Sequence, residues 1–371
     1  MPQKIAIVTD CKYRTSIAVI RALGRAGWQV IAAQAQDDVK APPPAFFSRF
    51  ACSRWLAGSA QNPDYPARLL ALCREFQSPV LFPVGAVTLN CLAKRQEEFR
   101  QAARFLVAPR PVLDALNDKE QVHRRARELG LPVPREFAGE PDRYPVVLKP
   151  RCGEKFGLKA QDRYRVANHA QEYQAAVQAL SRYDPKPIVQ EKVEGPGFGA
   201  SLLLDGTGRL ISAICHQRVR EYPILGGPSA CCESVYNEEK VEAAYRLLRS
   251  FNFVGLAMVE FKGSRILEVN PRVWGSFPLT EQAGSPFALR YAQAAAGEKV
   301  PEYQGQDYQA GVRMRFALND TLAALSLAKA GRVKEAWAAG LDVFRAKEAL
   351  GAKDDPGPAR AYFRQTLFHR K

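Results

Sequence analysis

The stretch ILEVNPRVWGS (266–276) constrains this chain more than any other. Glu268, Asn270 and Arg272 occupy alternate positions, and in an extended strand residues i, i+2 and i+4 project to the same side. The strand also carries Ile266, Leu267 and Val269, so an apolar segment gathers a carboxylate, an amide and a guanidinium on one face. Just upstream, VGLAMVEFKGSRILEVN (254–270) reads as a β-hairpin. A three-residue loop of Gly263, Ser264 and Arg265 would set Glu260 directly opposite Glu268. A two-residue loop would shift the register by one and turn the two carboxylates to opposite faces. Facing carboxylates repel unless a cation lies between them. Carboxylate and amide oxygens suit Mg²⁺, which completes its shell with nucleotide phosphates where protein ligands are few. Arg272 would then neutralise charge on a transferring phosphoryl group. The competing reading is an exposed polar hairpin held by a surface ion pair.

Three other segments carry chemistry. YPVVLKPRCGEKFGLKA (144–160) is an apolar strand ending in Lys149, followed by a loop containing Gly153 and Gly157. This places an ammonium and the backbone amides of 152–157 where phosphate oxygens can be held; alone, it reads rather as a surface lysine before a turn. QEKVEG (190–195), with Gln190, Glu191, Lys192, Val193 and Glu194, is a short segment able to present backbone groups to a purine edge. In HQRVREYPILGGPSACCES (216–234), Arg218 and Arg220 are two apart and would share a strand face, an arrangement suited to a substrate carboxylate. Gly226 and Gly227 would let backbone amides approach an anion closely. A surface hairpin with a flexible tip is the alternative. Specificity is expected to lie in 151–160, 216–234 and 272–285, with Ser229 and Trp274 among the residues facing substrate.

The organisation along the chain fits such a site. At 371 residues and 47% hydrophobic, the chain can bury a large core in two or three domains. Strand, helix and strand at 4–10, 15–30 and 30–34 predict a parallel sheet with a right-handed crossover. Gly27 sits where the helix should stop. Helices follow at 66–76 and 88–99 around a strand at 80–85, and no GxGxxG follows the first strand. A helix over 117–130 would be capped by Asn117 or Asp118 and end at Gly130. Further on, 237–252 reads as a helix, 309–318 as a strand, and two short helices and a final helix complete the chain.

Composition narrows the partners. No run of 18 uncharged apolar residues occurs, and the first residues read as a strand rather than a signal peptide. A cytoplasmic protein without membrane contact is expected. Eight cysteines lack a CxxC pair and four histidines lie far apart, so reduced, mostly buried thiols are expected rather than a structural metal. The net charge of +15 is spread without a basic tract or nucleic-acid module, which favours a small anionic substrate over nucleic acid.

In this order, NDKEQVHRRARELGLPVP, VVLKP, QEKVEG and VEF…LEVNPR resemble the ATP-grasp superfamily, in the branch of carbamoyl-phosphate synthase, biotin carboxylase and carboxylate–amine ligases. The resemblance covers nearly the whole chain. It implies an α/β and α+β protein: a pre-ATP-grasp parallel-sheet domain at 1–112, a small lobe with its linker helix at 113–187, a large lobe bearing metal and substrate sites at 188–308, and a C-terminal strand and helices completing that lobe at 309–371. It implies ATP contacts at Lys119 and Lys149, an adenine hinge at Glu191 to Val193, Mg²⁺ ligands at Glu260, Glu268 and Asn270, and a phosphate-contacting arginine at Arg272. Segment 216–234 resembles that of "carboligase-like" members. Two Mg²⁺ ions, with Mn²⁺ as an alternative, ATP, and small carboxylate and amine substrates are implied, with homodimerisation left open. The implied reaction forms an amide or peptide bond through an acyl phosphate and releases ADP. There are two departures. Phe198 and Gly199 stand where an acid often holds the ribose, leaving Glu194 as substitute, and Leu225 stands near the histidine of carbamoyl-phosphate synthases. They keep open a nucleotide-binding regulatory protein with a degenerate site; a carboxylase or carbamoyl-phosphate-type enzyme is the other alternative.

Overall fold

The computed structural model describes residues 4–35, 41–57, 62–152, 163–224 and 226–368. The first part alternates strand and helix: β1 (Ile5–Val8), α1 (Arg14–Arg25), β2 (Gln29–Ala35), β3 (Ala51–Ala57), α2 (Tyr65–Arg74), β4 (Val80–Phe82), α3 (Ala86–Lys94) and α4 (Gln96–Arg100). Its strands form a parallel sheet in the order β3-β2-β1-β4. α1 stops at Gly27, which takes φ +80° while the Trp28 amide closes on the Leu23 carbonyl at 3.0 Å. The single helix expected over 88–99 is two, because Arg95 leaves the helical region at φ −128° and ψ 38°.

α5 (Arg110–Asn117) and α6 (Lys119–Glu128) lead into a small antiparallel sheet of β5 (Val146–Lys149), β6 (Arg165–Ala167) and, after α7 (Ala170–Ser181), β7 (Ile188–Glu191), in the order β6-β5-β7. Val146, Leu148, Ala167, Tyr173, Ala176 and Leu180 are among the residues of its own small core. The expected end of this lobe at residue 187 would cut off β7. Its ladder from Val146↔Glu191 to Lys149↔Ile188 places that strand in the small sheet, so the lobe runs to residue 191.

The large lobe comprises β8 (Gly197–Leu204), β9 (Leu210–Glu221), β10 (Ser229–Val235), α8 (Glu238–Arg249), β11 (Gly255–Lys262), β12 (Arg265–Asn270), α9 (Pro278–Gln282) and α10 (Phe287–Ala295). Beyond them come β13 (Arg313–Arg315), α11 (Ala317–Lys329), α12 (Val333–Arg345), β14 (Lys347–Glu348) and α13 (Gly357–Phe368). The sheet order is β12-β11-β8-β9-β10-β13-β14. Alternation along the strands divides the apolar side chains between two sides. Ala200, Leu202, Ala257 and Val259 share a core with Val241, Ala244 and Leu247 of α8. Leu203, Ile214, Leu256 and Met258 share another with α10 and the N-terminal Phe82. Tyr291 joins the domains: its hydroxyl accepts from the Leu106 amide at 3.1 Å and donates to the Leu81 carbonyl at 3.2 Å.

The C-terminal segment divides its loyalty. β13 and β14 extend the large sheet, whereas α13 packs beside residues 44–47 of the N-terminal domain. Asp355 accepts from Arg21 at 2.9 Å, Ser48 at 2.7 Å and the Arg49 amide at 2.9 Å. All eight thiols are free, and Cys11, Cys73, Cys215, Cys231 and Cys232 are buried. No helix among the described residues is long and apolar enough to cross a membrane.

Candidate active site

Glu260 and Glu268 do stand opposite each other, but not for the reason the loop suggested. The turn between β11 and β12 has two residues, since Lys262 pairs with Arg265. Continued unbroken, that register would put Leu267 opposite Glu260 and turn Glu268 to the far face. One extra residue restores the pairing: Phe261 pairs with Ile266 and Glu260 with Glu268, leaving Leu267 as a bulge. The freed Leu267 carbonyl accepts from Nε2 of buried His123 at 3.0 Å, and Nδ1 of that ring meets Glu136 at 2.5 Å. Both ring nitrogens face oxygens, so the ring bridges the bulged carbonyl to Glu136. Burial would raise the Glu136 carboxyl, yet His123 and Arg127 hold it below its ordinary value.

Helix α6 supplies a second contact to the same strand. Lys119 and His123 are four residues apart and so share a helix face, and the Lys119 ammonium lies 3.1 Å from Glu268. Asp118 caps the helix, accepting from the Glu120 amide at 3.0 Å. Arg151, just past β5, bonds Asp118 at 3.0 Å and Glu120 at 2.9 Å, which ties the end of the lysine strand to the start of α6.

Electrostatics makes the two carboxylates unlike. Burial would raise Glu268, but Lys119 and Lys149 outweigh it and hold the carboxyl down at about 2. Glu260 is raised by burial and by the facing Glu268, against the pull of Arg218. Arg218 approaches Glu260 at 2.5 Å, and Asn270 donates to its other oxygen at 3.0 Å. Arg272 donates to the Asn270 amide oxygen at 3.2 Å and to the Val273 carbonyl at 3.0 Å. Burial would lower Lys119, yet Glu268 raises it overall. Lys149 is pushed down to about 8, chiefly by burial with Lys119 adding to it, and makes no ion pair among the described residues. Two carboxylates and an amide among four cationic side chains form a site for an anion and its counter-cation together.

The row across the sheet continues from Glu260 through Gly199 to His216. A side chain at Gly199 would meet His216 Cε1 at 2.4 Å and Met258 Sδ at 2.9 Å. An acid at this position is therefore sterically barred, which accounts for one departure seen in the sequence. Burial lowers His216 to about 3, leaving a neutral ring beside Ser276 at 3.2 Å. Its place two residues before Arg218 was a legible signal of the shared face.

Several candidates lie elsewhere. A bulge at Val219, where Arg218 pairs with Cys232 and Arg220 with the adjacent Cys231, breaks the face the two arginines were expected to share. Arg220 goes instead to Asp320 at 2.6 Å and Asp342 at 2.7 Å, leaving Arg218 alone beside Glu260. The Gly226 and Gly227 amides both donate to the Pro223 carbonyl, at 3.2 and 2.8 Å, so neither is free for an anion. Gly226 also leaves room for the Tyr164 hydroxyl, 1.7 Å from where a Cβ would stand. Ser229 donates to the Cys231 carbonyl at 3.1 Å. Trp274 is 1% exposed, with Phe277 and Phe287 at ring distances of 5.2 and 5.4 Å, and is core rather than substrate wall. Gly153, Gly157 and Leu225 lie outside the described residues.

At the segment 190–194, Gln190 is buried and its amide oxygen has no partner among the described residues, an orphan that a ligand donor would satisfy. Glu191 binds the Arg135 amide at 3.0 Å and Arg265 at 3.1 Å. Lys192 and Glu194 pair at 3.0 Å with the Glu194 side chain 79% exposed, so Glu194 is held by its neighbour outside the site. Val193, between them, is half-buried. Among the described residues no group of three His, Cys, Asp or Glu side chains is arranged for a metal. The donor set Glu260, Glu268 and Asn270 instead suits a cation that takes its remaining oxygens from a ligand.

A parallel-sheet domain, a small antiparallel lobe ending in a lysine, and a large sheet with paired acids define the ATP-grasp fold. Residues 116–276 match the family model of the ATP-grasp domain. Among solved structures it is similar to the biotin carboxylase domain dimer of Hydrogenobacter thermophilus 2-oxoglutarate carboxylase in complex with MgADP, ADP and bicarbonate. That likeness has a TM-score of 0.64 over 84% of this chain and 74% of that chain, at 16% identity. A biotin carboxylase complex from Campylobacter jejuni gives 0.62 over 83% and 74%, at 14% identity. Likeness at such identities shows the fold. No curated protein sequence matches significantly.

Proposed function

We propose that the protein is an ATP-dependent, ADP-forming ligase that joins a small carboxylate to an amine through an acyl phosphate. The observation that carries the reading is Glu260 facing Glu268 across the bulged hairpin, with Lys119, Lys149, Arg218 and Arg272 around them. The ATP-grasp domain match and the MgADP and ATP-type complexes of similar structures support nucleotide and Mg²⁺ as ligands.

Glu260, Glu268 and Asn270 would hold Mg²⁺, one ion or two, with Mn²⁺ as a substitute. The ion would supply charge neutralisation for the nucleotide phosphates. Lys149, partly deprotonated near pH 8 before ligand binds, would regain its full charge beside phosphate oxygens. Lys119 would be released from Glu268 to do the same. Gln190 would take an adenine donor with its orphan oxygen. Arg272 and Arg218, on either side of the carboxylates, would orient the acid and stabilise charge as its oxygen takes the γ-phosphoryl group. The amine then attacks the acyl carbon, and phosphate leaves.

The test is ADP formation from ATP and Mg²⁺ with paired panels of carboxylates and amines. ADP formed only when both partners are present supports the reading. Formation with bicarbonate alone would assign the carboxylase reaction instead. Mg²⁺-dependent nucleotide binding with no turnover on any pair would assign a regulatory role.

A further inference from the structure

α12 turns its apolar side outward. Toward the protein it presents Ala339 and Asp342, and the Asp342 side chain, 3% exposed, is held by Arg220 at 2.7 Å and Arg313 at 2.6 Å. Toward solvent it presents Val333, Trp337, Leu341 and Phe344, which are 67%, 72%, 40% and 90% exposed. At the turn of an α-helix these four fall within an arc of about 100°. A helix of a soluble protein ordinarily buries such a stripe, and contiguous exposed apolar surface marks a contact site. Charges anchor the α11–α12 hairpin to the sheet, since Arg220 also binds Asp320 of α11 at 2.6 Å.

Charge selects what covers the stripe. Lys334 and Arg345 follow one flank of it, and Lys329 lies before its start. All three are exposed and make no ion pair among the described residues, while Glu335 is neutralised by Arg332 at 2.5 Å. In a two-fold antiparallel pairing of α12 with a second copy, the Lys334–Arg345 flanks would meet like against like. An anionic bilayer suits both features. Aromatic and aliphatic side chains enter the headgroup–acyl boundary while Lys and Arg stems reach lipid phosphates. We propose that α12 lies flat on an anionic phospholipid surface, inserting Val333, Trp337, Leu341 and Phe344 and holding the protein at the membrane face. The sequence set membranes aside for want of a spanning segment; a helix lying in the interface needs none. The inference is independent of the nucleotide site.

The experiment is co-sedimentation of the full chain with vesicles of phosphatidylcholine alone or mixed with phosphatidylglycerol, alongside the fluorescence of Trp337. The expected result is binding to the phosphatidylglycerol vesicles with a blue shift. Trp337→Ser with Phe344→Ser should weaken it by at least about tenfold, and Lys334→Glu with Arg345→Glu should also weaken it. Phe344→Ser alone, at the most exposed position, should lose part of the binding, with thermal melts unchanged throughout. Three outcomes overturn the proposal. One is no binding to either vesicle. Another is equal binding by the Trp337/Phe344 variant, which would assign it to the +15 charge of the whole chain. The last is a dimer that this variant converts to monomer while vesicles are ignored.

Discussion

Glu268 and Glu260 are chemically alike in sequence and unlike in the fold. The first is a firm anion between two lysines; the second is a reluctant one, facing its twin and paired to Arg218. Glu268→Gln removes the charge that Lys119 and Lys149 balance, and ADP formation in the paired-substrate assay should fall by at least about a hundredfold. His123 acts one step back, as a positioning residue, through the Leu267 carbonyl. His123→Ala leaves that carbonyl and Glu136 without their partner. Unfolding by denaturant should show a loss of about 1–3 kcal/mol, and calorimetric titration with MgADP an affinity lower by about tenfold. His123→Gln, which keeps a donor, should recover part of both. Away from the site, burial lifts the half-buried Glu281 to about 7 from an ordinary 4.5, against the pull of Arg25. Native Glu281 still holds its proton where the unfolded chain has released it. Its contribution to stability is therefore present at low pH and declines as pH rises from about 4.5 to about 7. The decline should be roughly 1–2 kcal/mol, reduced by solvent screening, and Glu281→Gln should flatten it in melts across that range.

The β11–β12 hairpin shows how an element can be legible in sequence while its internal register is not. Both strands followed from alternation, and the facing pair was expected from a three-residue loop; the two-residue turn and the bulge that offsets it were not legible. A bulge is a tertiary choice here: α6 offers His123 to the displaced carbonyl, and a residue 144 positions away in sequence meets the strand residue that stays unpaired. β9 repeats the lesson with the opposite result, because its bulge at Val219 separates Arg218 from Arg220. Trp274 misled for another reason. An aromatic residue beside a site motif has the same letter whether it faces substrate or completes a core with Phe277 and Phe287. Gly199 looked like a missing acid and is a steric requirement of His216. Gly199→Ala should cost roughly 1–3 kcal/mol by overpacking, read as a lowered melting temperature.

On the scale of the molecule, the domains share their cores and are stitched by buried charge. The Arg21 side chain of α1, 5% exposed, pairs with Asp355 near the C-terminus, 1% exposed. Asp355→Ala strands a buried guanidinium and should cost about 3–5 kcal/mol. Calorimetry should show the N-terminal domain and the large lobe melting together in the native protein, because Tyr291 and Phe82 sit in one continuous core. The lobes and their order were readable from local pattern: a βαβ start, a lysine-ended strand, two hairpins, Asp118 at a helix start and Gly27 past a helix end. Period, capping and turn chemistry act over a few residues, so the sequence by itself determined the parallel first sheet, the carboxylate face of β12 and the lysines that attend it. Only the tertiary structure decided which small-sheet strand closed the lobe, where α13 docked, which arginine remained at the site, and how a two-residue turn still left Glu260 facing Glu268. Those outcomes depend on hydrogen bonds and ion pairs between segments up to hundreds of residues apart, and no local period carries them.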